Sequence, residues 1–297
     1  MSQTVVLAPI VAALVKAEDV LGKNRRWQSI NTTQKRFLQE AFATRDQLQY
    51  FSEKEVRSWA DRVAAKLNKI LKDEGFDIEL EDFSEGEFGV VSILDVTVEW
   101  LMRGQKIELK RKNKKYPAVR LPLEWIDEAG KHTFTAHESS THTHPIALVH
   151  TKSGDQVYMT VADQQLEGFE LKSRIDKMRV EMKPGRGYYE SLQFPMIDLD
   201  QRVDIGWLVG MKTTDAKRQD WKISQAKQQT KFKMNEVGAR VKSGVAIGVR
   251  ATSFRQPINL IINQPFYLWI ERASMTVPVM YAYLDTDDWK NPGNLDM

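Results

Sequence analysis

Apolar residues recur along this chain with two different periods. The first third has helical spacing. Residues 5–7 are β-branched in character, and Pro9 suits the first turn of a helix running to about Leu21 and stopping at Gly22. Asn31-Thr32-Thr33 offers a cap for a second helix through Arg45. Ser52, with Glu55 three residues on, forms a capping box. Val56, Trp59, Val63, Leu67, Ile70 and Leu71 then follow at three- and four-residue spacing, which predicts a third helix ending before Gly75.

From Phe88 the pattern changes. Val90, Val91, Ile93, Leu94, Val96, Val98 and Trp100 form a nearly continuous apolar run, expected of a strand buried on both faces. Residues 106–115 predict a strongly basic arm or edge hairpin. Residues 146–149 and 157–161 flank Lys152-Ser153-Gly154-Asp155, a hairpin turn signal. A short helix is predicted over 166–175, strands over 178–182 and 193–199, and a helical turn over 202–211. Helices dominate 1–75 and sheets 88–297, so the class is α+β, with N-terminal helices packed on mostly antiparallel sheets. Without a linker rich in Pro, Gly or Ser, 1–297 reads as a single domain.

Composition narrows the chemistry. The chain has no cysteine, which excludes a disulfide framework, a zinc-thiolate site and a thiol nucleophile, and fits a reducing, cytoplasmic setting. The early apolar run 5–15 is broken by Pro9, lacks a basic leader and is too short to span a bilayer, so neither a signal peptide nor a membrane partner is expected. The net charge of +3 does not by itself call for nucleic acid. Lys106, Lys110, Arg111, Lys112, Lys114 and Lys115 are the local exception, a run suited to phosphate or an acidic partner. His132, His137, His142 and His144 fall within thirteen residues, but their spacing matches no metal motif, and no metal or cofactor is assigned. Ser139, Ser140 and His142 lie near one another without a nucleophile elbow, and Gly185-Arg186-Gly187 lacks a phosphate-loop context. The chain reads as not an enzyme.

The C-terminal third has a specific order. Residues 222–236 read KISQAKQQTKFKMNE, followed by Val237-Gly238; 262–270 read INQPFYLWI; 277–281 read VPVMY. This order resembles the reactive-loop end of a serpin: a strand ending in an acidic pair and a glycine, where this chain has Asn235, Glu236 and Gly238, then an exposed loop, a Pro-Phe strand and a closing core strand. Earlier segments resemble the family in the same order. These are 5–22 as core strand and helix, 56–71 as the helix across the sheet, 90–104 as the buried central strand, 157–163, 194–197 and 205–211. The chain departs from the family in two ways. About thirty residues separate Gly22 from Ser52, where serpins place several helices and strands, and the hinge reads Ala239-Arg240-Val241-Lys242-Ser243-Gly244 rather than a run of Thr, Glu and Ala.

The resemblance implies that about 238–258 is presented to a protein partner, as bait for a serine protease. The hinge would comprise Glu236, Gly238, Ala239, Val241 and Ser243, and the scissile region Arg250, Ala251, Thr252, Ser253 and Arg255. An arginine there suits trypsin-like specificity. The residues themselves alternate. Ala239, Val241, Ser243, Val245, Ile247 and Val249 share one face of an extended chain, with Arg240, Lys242 and Arg250 on the other. That pattern also fits an alternative: a non-inhibitory assembly protein in which the segment is a permanent strand or pairs with another subunit. A third alternative is nucleic-acid binding through 106–115.

Overall fold

Strand β1 (Gln3–Val5) leads into helix α1 (Ala8–Leu21), which carries Pro9 in its first turn and ends at Gly22 with φ 100°. That dihedral lies in the region only glycine adopts freely. The computed structural model describes residues 1–23, 25–124, 132–237 and 258–295. Helix α2 (Thr32–Glu40) starts at Asn31, whose side-chain oxygen accepts a 2.8 Å hydrogen bond from Gln34 N. It ends earlier than the expected Arg45, and Phe42–Tyr50 continues as a 3-10 helix.

The third predicted helix is half wrong. The Ser52–Glu55 capping box forms: Ser52 N donates to Glu55 Oε2 at 2.8 Å, and Glu55 N donates to Ser52 Oγ at 3.3 Å. It closes one turn only. Strand β2 (Val56–Asp61) follows, and the helix, α3 (Ala64–Asp73), begins eight residues late. Tertiary pairing overrides the periodicity, because β2 runs in register with β3 (Gly89–Leu94) over six residue pairs. The first 75 residues therefore carry two strands as well as helices. Strand β3 is also not buried on both faces as expected. Gly89, Val91 and Ile93 are buried, while Val90, Ser92 and Leu94 are half-buried.

Strands β4 (Gln105–Arg111) and β5 (Lys114–Pro122) form the expected basic hairpin, with β4 at a sheet edge. Strands β6 (Phe134–Ser139), β7 (His142–His150) and β8 (Gln156–Val161) follow as a meander. Helix α4 (Gly168–Val180) runs further than predicted, because Leu171, Ile175 and Met178 are all fully buried at helical spacing. Residues 178–180 are thus helical, and only β9 (Met182–Pro184) is extended there. Strands β10 (Ser191–Pro195) and β11 (Ile197–Val203) are separated at Met196. Between β11 and β12 (Lys212–Thr214) lies a short 3-10 turn, Gly206–Leu208, in place of the predicted helical turn. The chain ends with β13 (Asp220–Lys222), β14 (Gln228–Met234), β15 (Asn259–Ile261), β16 (Phe266–Glu271) and β17 (Met280–Leu284).

A seven-stranded antiparallel sheet, ordered β1-β17-β16-β8-β7-β6-β9, divides the core. Strand alternation sends Phe266, Leu268 and Ile270 to one apolar cluster and Tyr267 and Trp269 to the other, which includes α1 and α4 residues. A second sheet is ordered β15-β10-β5-β4, with only β10–β15 parallel. Strands β2–β3, β11–β14 and β12–β13 form separate antiparallel pairs. The architecture is α+β with mostly antiparallel sheets. No helix among the described residues is long and apolar enough to cross a membrane.

Candidate functional site

The two pairs β2–β3 and β11–β14 flank a cleft of about 390 Å³. Residues 88–98 line one wall and 222–234 the other, with Ile10 and Leu14 of α1 among the floor residues. Each pair has used one edge of its inner strand: β2 covers one edge of β3, and β11 covers one edge of β14. The second edges have no ladder partner among the described residues, and both border the same cleft. Backbone N–H and C=O groups along such an edge are a template for another strand. The walls are apolar enough to receive side chains, with Val91, Ile93, Phe232 and Met234 among them.

One end of the cleft is clamped. Trp100 Nε1 donates to Asn235 O at 2.9 Å, and Gly104 N donates to Glu236 O at 2.8 Å. Trp100 is 2% exposed and meets Phe194 edge-on, with centroids 6.0 Å apart. Gly104 has to be glycine, because a Cβ there would stand 2.3 Å from Val119 Cγ1. Glu236 is buried, and its Oε1 takes Arg103 at 2.7 Å and Lys106 at 3.3 Å. Burial would raise the carboxyl's pKa, but hydrogen bonds from Arg103 and Lys106 outweigh it and hold the group below its ordinary value. The other oxygen, Oε2, is buried without a hydrogen-bond partner. Asn235 adds two bonds, from Nδ2 to Gly293 O at 3.0 Å and from Val237 N to its Oδ1 at 2.9 Å. This clamp stands at the root of 238–257.

The other end is strapped. Residues 76–83 leave α3 and reach across to the segment leading into β14 and to the start of β14 itself. Asn68 holds Leu80 through both its amide atoms, at 2.9 and 2.7 Å. Asp77 N donates to Gln229 Oε1 and Glu81 N to Gln225 Oε1, each at 2.9 Å, and Lys227 Nζ donates to Glu79 O at 2.7 Å. Phe76, Ile78, Leu80 and Phe83 cluster with Leu67, Leu71, Val91 and Ile93. The strap therefore ties α3 and β3 to the β14 wall through side-chain amides and apolar contacts rather than through a ladder.

Of the hinge residues, Glu236 lies in the clamp. Gly238, Ala239, Val241 and Ser243, and the scissile candidates Arg250, Ala251, Thr252, Ser253 and Arg255, lie outside the described residues. Sequence reasoning placed Trp100 at a strand end but missed its bond to Asn235. It also missed Arg103 and Lys106 as partners of Glu236, more than a hundred positions away, for which local patterning carries no signal. Among the described residues no group of three or more His, Asp or Glu is gathered as a metal site. His142 Nε2 lies 2.9 Å from Thr160 Oγ1, whose own hydrogen goes to Pro145 O, so Nε2 is the donor. Its Nδ1 faces Arg174 Nη2 at 3.1 Å, and a guanidinium occupies the place a cation would need. Burial, with Arg174 adding to it, lowers the imidazole pKa.

No family model and no curated protein matches the sequence. Solved structures do match the fold. Serpin48 of the insect Tenebrio molitor, described as a highly specific serpin, is 12% identical, with a TM-score of 0.58 over 95% of this chain and 91% of that one. A serpin from Schistosoma mansoni is 12% identical, with a TM-score of 0.56 over 95% of each chain. The mouse protein Z-dependent protease inhibitor is 11% identical, with a TM-score of 0.55 over 95% of this chain and 90% of its own. Split central strands, the α1 floor, the clamp and these likenesses together give the conclusion that this chain has the serpin fold.

Proposed function

We propose that the chain is a non-catalytic, serpin-type protein that presents 238–257 to a serine protease and takes the cleaved segment into the cleft between β3 and β14. One observation carries this reading: two strand edges without ladder partners among the described residues border a single apolar cleft, and the segment in question follows in sequence from its clamped end. An inserted strand would satisfy both edges at once. It would turn Val241, Val245, Ile247 and Val249 toward the floor, each contributing roughly 1.5–3 kcal/mol on burial. Arg240 and Lys242 would face outward, where a charged side chain can stay in water. Insertion requires the Trp100–Asn235 clamp to open and the 76–83 strap to lift.

Incubation with trypsin is expected to give a complex that survives SDS, and cleavage within 238–257 to raise the melting temperature sharply. Ordinary digestion with neither effect sinks the reading. The open edges favour a second reading too, because a ladder does not distinguish its own chain from another copy. In that reading the cleft accepts an assembly partner's strand. A protein that stays monomeric at every concentration rules this out.

A further inference from the structure

Arg103 and Lys106 serve the clamp, but the other cations of the ribbon they lead into are left unused by the inhibitor reading. Residues 103–120 hold eight Lys and Arg against a single carboxylate, Glu108, so the rest of this +3 chain is net acidic. Strand β10 pairs with β5 only over Ala118–Pro122. After one last backbone bond, from Met196 N to Pro117 O at 2.9 Å, β4 and β5 continue as a two-stranded ribbon from the Leu109–Tyr116 pair to the Arg111–Lys114 pair, with no other ladder partner among the described residues. Leu109 and Tyr116 fasten one face of it to the body, Tyr116 by an edge contact with Trp289 at 5.1 Å. Arg111 bends the same way, to Asn263 O at 3.3 Å. Lys106, Lys110, Lys112, Lys114 and Lys115 are exposed.

This ribbon is built against its own local stability. Lys110 stands directly opposite Lys115, and Arg111 opposite Lys114. Like charges at such positions destabilise a hairpin. Lys112 takes φ 52° at the first of two loop positions, where glycine is the residue that fits without strain. Among the described residues Glu108 answers only Lys115, at 2.7 Å. Lys110, Lys112 and Lys114 have no carboxylate partner among the described residues. Two cross-strand repulsions and one unfavourable dihedral all retain positive charge at one tip, and an anionic partner relieves the repulsions.

We propose that the β4–β5 ribbon is a docking surface for duplex nucleic acid, held through its phosphate backbone without base reading. Charge complementarity carries the choice of partner. A duplex presents a continuous line of phosphates, and its major groove admits a two-stranded β-ribbon of this kind. The contact is sequence-independent, because lysines supply point charges rather than paired donors aimed at base edges. Lys110, Lys112, Lys114 and Lys115, the four lysines replaced in the test, take no part in the clamp, so the test is independent of the cleft.

The experiment is anisotropy titration of a labelled random-sequence DNA duplex with the intact protein, between about 50 and 200 mM salt. Binding should weaken with salt at a log–log slope of about −3.6 to −4.5, for four or five phosphates neutralised. Replacing Lys110, Lys112, Lys114 and Lys115 together by Gln should weaken binding at least about tenfold at low salt and flatten the slope by about 3.6. In the absence of DNA the same replacement should hold or raise the melting temperature, because it removes the like-charge pairs. The single variant Lys110→Glu, which puts an acid opposite Lys115, should raise it. Absent binding at low salt, equal binding by the fourfold variant, or retention by heparin but not by duplex each overturns the proposal. A fall in melting temperature for Lys110→Glu overturns the premise that the lysines are held against local stability.

Discussion

The seven-stranded sheet and the split strand pairs are made from the same kinds of residue and solve opposite problems. In the first, β16 is paired on both edges, by β17 and by β8, and its Phe266, Tyr267, Leu268 and Trp269 are wholly buried. Tyr158 stacks on Trp269 with centroids 4.9 Å apart and planes 3° from parallel, and burial pushes its hydroxyl pKa up to about 12. In the second, β3 and β14 each keep an edge without a ladder partner among the described residues, and the two walls are joined by single hydrogen bonds, one buried carboxylate and a strap of side-chain amides. A complete ladder offers no place for a further strand. Two half-ladders held apart at a cleft do, and their links are weak enough to open singly.

The largest expected effect lies in the closed sheet. Trp269→Ala should destabilise the protein by about 3–5 kcal/mol, because it empties a fully enclosed site. Ile93→Val in the open pair should change stability by only about 0.5–1.5 kcal/mol. Urea titration of both variants checks the ordering. Equal losses would mean that the two regions are one cooperative structure and that the contrast between them is superficial.

The contrast also separates what was legible in the sequence from what was not. Order and core were legible. The strand and helix over 5–22 and the 152–155 turn stand where local spacing and turn chemistry put them, because each is decided within ten residues or so, and the Pro265-Phe266 strand stands where the resemblance to serpins put it. The 56–71 stretch was misread because its spacing suits a helix while its partner, β3, lies thirty positions downstream; a ladder with a distant strand outweighs local period. Strand β3 looked buried on both sides because a run of β-branched residues has the same appearance beside a cleft as inside a sheet. The clamp was illegible for a similar reason. Nothing near Trp100 in sequence announces that Asn235 O is its acceptor.

Two intermediate effects sharpen the comparison at the cleft itself. Trp100→Phe keeps the ring and removes the donor, leaving the buried Asn235 carbonyl without its partner, at a cost of about 1–3 kcal/mol. Amide exchange in β14 should quicken while that in β16 stays unchanged, and equal acceleration in both strands would refute a local clamp. Gln229→Ala removes the acceptor for Asp77 N and should destabilise by about 1 kcal/mol. The opening it causes should be confined to 76–83 and the adjacent stretch of β14. Faster exchange at the Trp100 end instead would show that strap and clamp are not separate links.

The smallest effect is the pH dependence of the clamp. Arg103 and Lys106 hold the Glu236 carboxyl below its ordinary pKa in the folded chain, although burial acts the other way. A depressed carboxylate pKa stabilises the fold fully above the unfolded value of about 4.3, and that contribution fades as pH falls through the folded value. Both cations are largely exposed, so water screens the pairs and the contribution is about 1 kcal/mol at most. Glu236→Gln should therefore melt slightly below the native chain at pH 7, and the gap should close in more acidic solution, once the native carboxyl is itself protonated. A gap that stays constant with pH would mean that the glutamine's altered packing, not the lost charge, is responsible. The clamp would then be held by Trp100 and the Gly104 amide alone, and the acidic residue at the root of 238–257 would be a neutral spacer rather than a latch.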